Sequence, residues 1–414
     1  MIEAGVGFSG ALADAYRRAV RHGLPLVGTD LVLWSTLGRV HLFGPVTPDP
    51  RHPALRALRR GRSELTDPEP PQRSRLAPGF DDDIARLAEA ELREATYSGA
   101  DRARARALNS GRRPPLPAFT PAVRHAVYEA LHEGGRAGLR HIGPAHLTLG
   151  LLSVPDAAAV RVLTLVAGSP AGPGTTLYEE VRRAAHRLPV TPRSSAADDL
   201  AFLRMVQPHR APGAAEPLRL ALIRLVTGVA LRRPYRRHGA RYGHPMLLLV
   251  EQRARQLAVR AGADVVTGAH VLVAVLAMHD ELVRDGRPVR PDIHRWNQAG
   301  EILDRHGATA VPAVRALAGL PPSDDEWRLD GLPDKGWHQP KALLAAPAHG
   351  RSELSGLRGA SLGAYRRGDP YAGTTHLLVE LLADPAGPAT RLLRLLDVDP
   401  STVRADAQGC LTGD

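Results

Sequence analysis

Three histidines are placed with enough regularity to invite a chemical reading. His146, His270 and His376 each follow a glycine by eight residues, namely Gly138, Gly262 and Gly368. Catalysis or metal ligation would need several such imidazoles to converge on one point. They lie far apart in the chain, one per recurring segment, and each precedes an apolar helical face. The spacing therefore predicts structural imidazoles, satisfied by the loop before them. No His-Glu-x-x-His pair places two ligands one helical turn apart.

Other reactive patterns are weaker. Gly359-Ala360-Ser361-Leu362-Gly363 matches the hydrolase nucleophile elbow, which needs a strand leading into a sharp turn. Here the five residues sit inside a helical stretch between Ser352 and Arg367. Asp81–Asp83 suit a positive helix N-terminus, and Asp324-Asp325-Glu326 suit a loop, so neither group is read as a metal site. Residues 201–250 carry nine arginines against one acid, Glu216, enough to contact phosphates, yet no nucleic-acid-binding motif accompanies them. Only Lys335 and Lys341 are lysines, and neither follows a phosphate-loop glycine, which excludes a P-loop ATPase of the GxxxxGK[ST] type. No metal and no cofactor are expected.

The whole chain has 414 residues, a formal charge of +11, 43% hydrophobic and 23% charged residues, as expected for a soluble chain of two or three domains. Cys410 is the single cysteine, which excludes an internal disulfide framework and any Cys-based zinc site. No apolar run is long enough to cross a membrane, and the N-terminus lacks the pattern of a secretory signal. A cytoplasmic setting is the expectation.

The elements that carry these residues form a repeat. Aligned on Gly23, Gly138, Gly262 and Gly368, four segments coincide, with Leu31 standing where the others have histidine. One, two, five and six residues beyond lie apolar or small side chains: Val32, Leu33, Thr36 and Leu37 in the first copy, and Leu147, Thr148, Leu151 and Leu152 in the second. Val271, Leu272, Val275 and Leu276 follow in the third, and Leu377, Leu378, Leu381 and Leu382 in the fourth. This is one helical face turned to a core. Thr29 and Thr374 read as N-caps, and Gly143 with Pro144 as a helix start. Helices are also expected over Asp81–Ala95, Ala157–Gly168, Glu301–Ala308 and Pro388–Val398. Long inserts run from Gly44 to Pro117 and from Pro189 to Gly243; the second contains PLRLALIRLVTGVALRR. Arg284–Gln298 and Pro321–Pro347 read as loops.

The repeat resembles that of the N-terminal domains of Clp unfoldases of the ClpC/ClpA type. The second copy carries the resemblance most fully: Phe119-Thr120-Pro121, Gly138, then Ile142-Gly143-Pro144-Ala145-His146-Leu147-Thr148-Leu149-Gly150-Leu151-Leu152. The fourth gives Gly373-Thr374-Thr375-His376-Leu377-Leu378, the first Val27-Gly28-Thr29-Asp30-Leu31, and the third Thr267-Gly268-Ala269-His270. The resemblance implies an all-α fold of two tandem domains, each a pseudo-two-fold pair of repeats: residues 1–200 with copies one and two, and residues 201–414 with copies three and four. Gly28, His146, His270 and His376 would be structural motif positions.

In that family the domain docks adaptors, substrates, phosphoarginine or cyclic-peptide antibiotics and catalyses nothing. The resemblance therefore implies a non-catalytic binding protein: an adaptor, receptor or decoy for a peptide, cyclic peptide or protein, with Clp ATPase or protease components as partners. Asp30, Phe119, Thr120, Arg124 and Tyr128 would meet the ligand. The acid that pairs with a phosphoarginine guanidinium survives only as Asp30; Ala145, Ala269 and Thr375 replace it elsewhere. The threonine turn that would hold the phosphoryl group survives as Thr120. Weak phosphoarginine binding resting on Asp30 is the expectation. The alternatives are an enzyme of specialised metabolism built on this scaffold and an arginine-mediated nucleic-acid-binding regulator.

Overall fold

A computed structural model describes residues 2–37, 52–53, 67, 80–110, 116–190, 192–193, 195–202, 205–206, 245–263, 265–320, 327–328 and 355–412. These residues are predominantly helical, and the strands among them are two residues long. The chain divides into two compact units, Met1–Arg193 and Ser194–Asp414.

Unit 1 opens with β1 (Glu3–Ala4), α1 (Val6–His22), β2 (Leu26–Val27) and α2 (Thr29–Leu37). After the long helix α3 (Phe80–Ser110) the order returns as β3 (Ala118–Phe119), α4 (Pro121–Arg136), β4 (His141–Ile142) and α5 (Pro144–Leu152). Helices α6 (Ala158–Ala167) and α7 (Thr176–Arg187) complete the unit. Phe8, Leu12, Ala15, Tyr16 and Ala19 recur at three- and four-residue intervals, which gives α1 one continuous buried face. Gly23 then turns left-handed at φ +66°, and Leu24 N–H reaches back to the Ala19 carbonyl at 3.0 Å, satisfying a group the helix end would otherwise orphan.

The same stop occurs wherever the repeat predicts it. Gly138, Gly262 and Gly368 are left-handed too, and Leu139, Ala263 and Asp369 donate to the carbonyls of Gly134, Ala258 and Ala364 at 2.9–3.0 Å. A β-carbon at any of these four positions would strain the turn.

Strand pairing in unit 1 is reciprocal. β1 pairs in parallel with β4, Ala4 opposite Ile142, while β2 pairs in parallel with β3, Val27 opposite Phe119. The strand before the first helix of each copy thus lies beside the strand before the second helix of the other.

The insert helix α3 belongs to the core. Ile84, Ala88, Leu92 and Ala95 are buried against α1, and Gly99 comes so close to Tyr16 that a β-carbon there would meet its Cβ at 2.7 Å. Arg193, the last residue of the unit, ties this helix down by pairing with Glu91 and Glu94.

Unit 2 contains α8 (Ala196–Phe202), α9 (Pro245–Ala261), β5 (Val265–Val266), α10 (Gly268–Arg284), α11 (Pro291–His294), α12 (Ala299–Arg305) and α13 (Ala310–Leu317). Then follow β6 (Trp327–Arg328), α14 (Ser355–Arg367), α15 (Thr374–Leu381), α16 (Pro388–Leu395) and α17 (Pro400–Thr412). β5 pairs antiparallel with β6.

Several expectations are corrected here. Gly373, not Thr374, occupies the N-cap of α15, and Thr29 is the first residue of α2 rather than its cap. Arg284–Gln298 is not all loop, because Pro291 at the first helical position starts α11. The Asp81–Ala95 helix extends to Ser110. Gly359–Gly363 lies wholly within α14, with Ser361 buried, so no strand-to-turn elbow forms. The stretch PLRLALIRLVTGVALRR, most of the arginine-rich segment 201–250, and residues 321–326 and 329–354 lie outside the described residues.

Candidate functional site

Three helices of unit 1 begin around one carboxylate. Asp67, a residue of the first insert, accepts through Oδ2 from the Thr29 amide at 2.8 Å and the Thr120 hydroxyl at 2.7 Å. Through Oδ1 it accepts from the Thr29 hydroxyl at 2.5 Å and the Ala158 amide at 3.1 Å. The Thr29 oxygen in turn accepts from the Ala159 amide at 3.0 Å, and that of Thr120 caps α4 through the Val123 amide at 3.3 Å. The starts of α2, α4 and α6 therefore meet here. Their unpaired amides and aligned dipoles favour a negative charge, and Asp67 supplies it.

The register of β2 on β3 creates this meeting. With Val27 opposite Phe119, Thr29 and Thr120 leave the ladder side by side, one from each copy. Asp30 follows in the first turn of α2 and is 4% exposed. A β-carbon on Gly28 would lie 2.5 Å from Asp30 Oδ1 and 3.4 Å from Asp67 Oδ2, so the bare glycine backbone leaves room for both carboxylates.

The other residues expected at a ligand are placed differently. Phe119 is buried with its ring 5.6 Å from that of Tyr16, and Tyr128 is buried and stacked on His132 at 5.7 Å. Both aromatics belong to the core. Arg124 stands on the outer face of α4, where it pairs with Glu89 of α3 at 2.6 and 2.7 Å. Asp30 and Thr120 are thus brought together at Asp67, while Phe119, Tyr128 and Arg124 are spent on packing and a surface ion pair.

In unit 2 the corresponding helix start is also covered, by a backbone segment. The Thr375 amide donates to the Trp296 carbonyl at 2.9 Å, and its hydroxyl to the Arg295 carbonyl at 3.2 Å. The Gln298 amide donates to the Thr375 oxygen at 2.9 Å, and the Thr374 amide to Asn297 Oδ1 at 3.2 Å. Where the first copy has an acid, the fourth uses a hydroxyl to bind its own chain.

Each of the three histidines stands third in its helix and reaches back to the cap. Nδ1 of His146, His270 and His376 accepts the amide of Gly143, Thr267 and Gly373 at 3.2, 3.1 and 3.3 Å. The imidazole takes the part that Glu or Gln plays in a capping box. Accepting at Nδ1 leaves the proton on Nε2 and keeps the ring neutral. Burial holds His146 and His270 down at about 4, His146 helped by His186 nearby. Burial also lowers His376, opposed by Asp369, which takes its Nε2 proton in a hydrogen bond of 2.9 Å. Among the described residues no group of three or more His, Cys, Asp or Glu side chains could hold a metal ion. No helix among them is long and apolar enough to cross a membrane.

Comparison of the chain with protein-family models, with curated proteins and with solved structures gives no match in any of the three.

Proposed function

We propose that the chain is a non-catalytic binding protein related to the N-terminal domains of Clp unfoldases, with two tandem domains that each combine two repeats about a pseudo-two-fold axis. It would serve as adaptor, receptor or decoy for a peptide, a cyclic peptide or a protein. The observation that carries the reading is the reciprocal pairing in unit 1, which sets Thr120 of one copy beside Thr29 and Asp30 of the other. A contact shared in this way by two copies supports a recognition role, and the histidines of both units are neutral capping groups rather than a proton relay.

Asp67 narrows the ligand. Thr120 and its neighbouring amides are the donors that the resemblance assigns to a phosphoryl group, and an internal carboxylate already takes them. Phosphoarginine is therefore a poor ligand on this reading, and an unphosphorylated linear or cyclic peptide a better one.

Calorimetric titration of the full chain with phosphoarginine, linear peptides and cyclic-peptide antibiotics tests this. The expected result is weak phosphoarginine binding, lost in Asp30→Ala, and saturable binding of a peptide that is recovered unchanged. Turnover of the peptide, or tight phosphoarginine binding indifferent to Asp30→Ala, would overturn the reading.

A further inference from the structure

Helix α7 rests chiefly on α5, and its apolar hold there is small. Of its twelve residues only Val181 and Ala185 are buried, with Leu177, Tyr178 and Ala184 half-buried beside them. An element with so few buried apolar contacts opens more readily than the core around it.

Its polar ties to other helices meet at one carboxylate. Glu133 of α4 accepts from Arg182 Nε at 3.2 Å and lies 3.7 Å from His186 Nε2. Next to them stands His146 of α5, 1% exposed, its ring edge-on to that of His186 with centroids 5.9 Å apart. Its Nδ1 accepts the Gly143 amide, and its buried Nε2–H finds no acceptor among the described residues. Glu129 of α4 also faces α7, at Tyr178. From α1, α2 and α6, which pack on α5 as well, no described charge bears on His146.

A proton on His146 upsets this arrangement. Nδ1 can no longer accept the Gly143 amide, and the ring becomes a buried cation that faces His186 and Arg182 with Glu133 to offset all three. Burial and His186 accordingly hold His146 down at about 4, against the pull of Glu133. Moving α7 away would hydrate the imidazolium and part the like charges in one step. Unit 2 has no such pairing: burial alone lowers His270, and Asp369 takes the Nε2 proton of His376.

We propose that α7 is an acid-released latch, which protonation of His146 pushes off α5, baring the apolar face that Val181 and Ala185 cover while the rest of unit 1 stays folded. The device needs no ligand and stands whether or not unit 1 binds a peptide.

Hydrogen exchange of the full chain at pH 7 and pH 4.5, corrected for the intrinsic rates, tests it. A histidine at about 4 in the closed state and at up to about 6.5 when released multiplies the opening of α7 by up to roughly fiftyfold between those pH values. At pH 4.5, α7 should open at least tenfold more readily than α1 and α4, with little dependence on added urea, because little surface is exposed. His146→Gln, which can still reach back to the cap, should remove most of the pH response of α7, and His186→Asn should weaken it. Protection of α7 that is indifferent to pH, opening of α7 in step with α1 and α4 at equal urea dependence, or a pH response that neither variant weakens would overturn the proposal.

Discussion

The Thr120 hydroxyl donates to Asp67 Oδ2 at 2.7 Å, and this contact joins the opening turn of the second copy to the insert that follows the first. The same oxygen takes the Thr29 amide, so one carboxylate fastens both copies at the point where their strands pair. Donors from α2 and α6 complete its coordination.

Replacing Asp67 by alanine orphans these donors together. Unit 1 should lose about 2–4 kcal/mol, the cost of unmade hydrogen bonds to a charged acceptor and of buried amides left without one. Hydrogen exchange resolved along the chain should show faster opening of α2 and α6, with α10 and α15 of unit 2 unchanged.

Arg193 provides a second test. It meets the buried Glu91 at 2.5 Å and Glu94 at 2.7 Å, and also donates to Ser9 Oγ and the Ala4 carbonyl at 2.7 and 3.0 Å. Arg193→Ala takes the balancing cation from the buried Glu91 and leaves it the neutral Ser9 hydroxyl, so unit 1 should lose up to about 3–5 kcal/mol. Urea unfolding should register that loss, and adding Glu91→Gln should recover part of it, because the charge then disappears with its partner.

Acid should destabilise both units through their capping histidines. His146 and His270 protonate at about 4 in the fold, against about 6.5 in an unfolded chain. Between those values the unfolded state binds more protons. Stability is therefore full above pH 6.5 and falls as pH drops toward 4, by about 1.4 kcal/mol per unit for each histidine. Denaturation at pH 7, 5.5 and 4.5 should show a shallower loss in unit 1 for His146→Asn and in unit 2 for His270→Asn.

What the sequence carried was local. Gly23, Gly138, Gly262 and Gly368 mark helix stops that only a residue comfortable at positive φ can make, so their phase was readable without any contact map. The histidines were readable for the same reason, because the partner of each lies three residues away. Asp67 was not: its partners lie 38, 53 and 91 residues off, and nothing in Thr66-Asp67-Pro68 announces them. Phe119 reads as a contact aromatic because the packing that sets its ring against Tyr16 is a tertiary event with no local signature. Thr375 and the Arg295–Gln298 segment failed to show for that reason too.

The exchanged two-residue strands make the halves of unit 1 interdependent. Neither copy keeps both of its strand partners to itself, so each alone leaves two edges unpaired. Both ladders close loops on the order of a hundred residues, an entropic toll that grows only logarithmically with length but delays pairing until the helices have assembled. A break in the covalent chain between α3 and β3 would leave these contacts in place. Two polypeptides divided there should be poorly structured apart and should reconstitute unit 1 on mixing, at a rate proportional to their concentration.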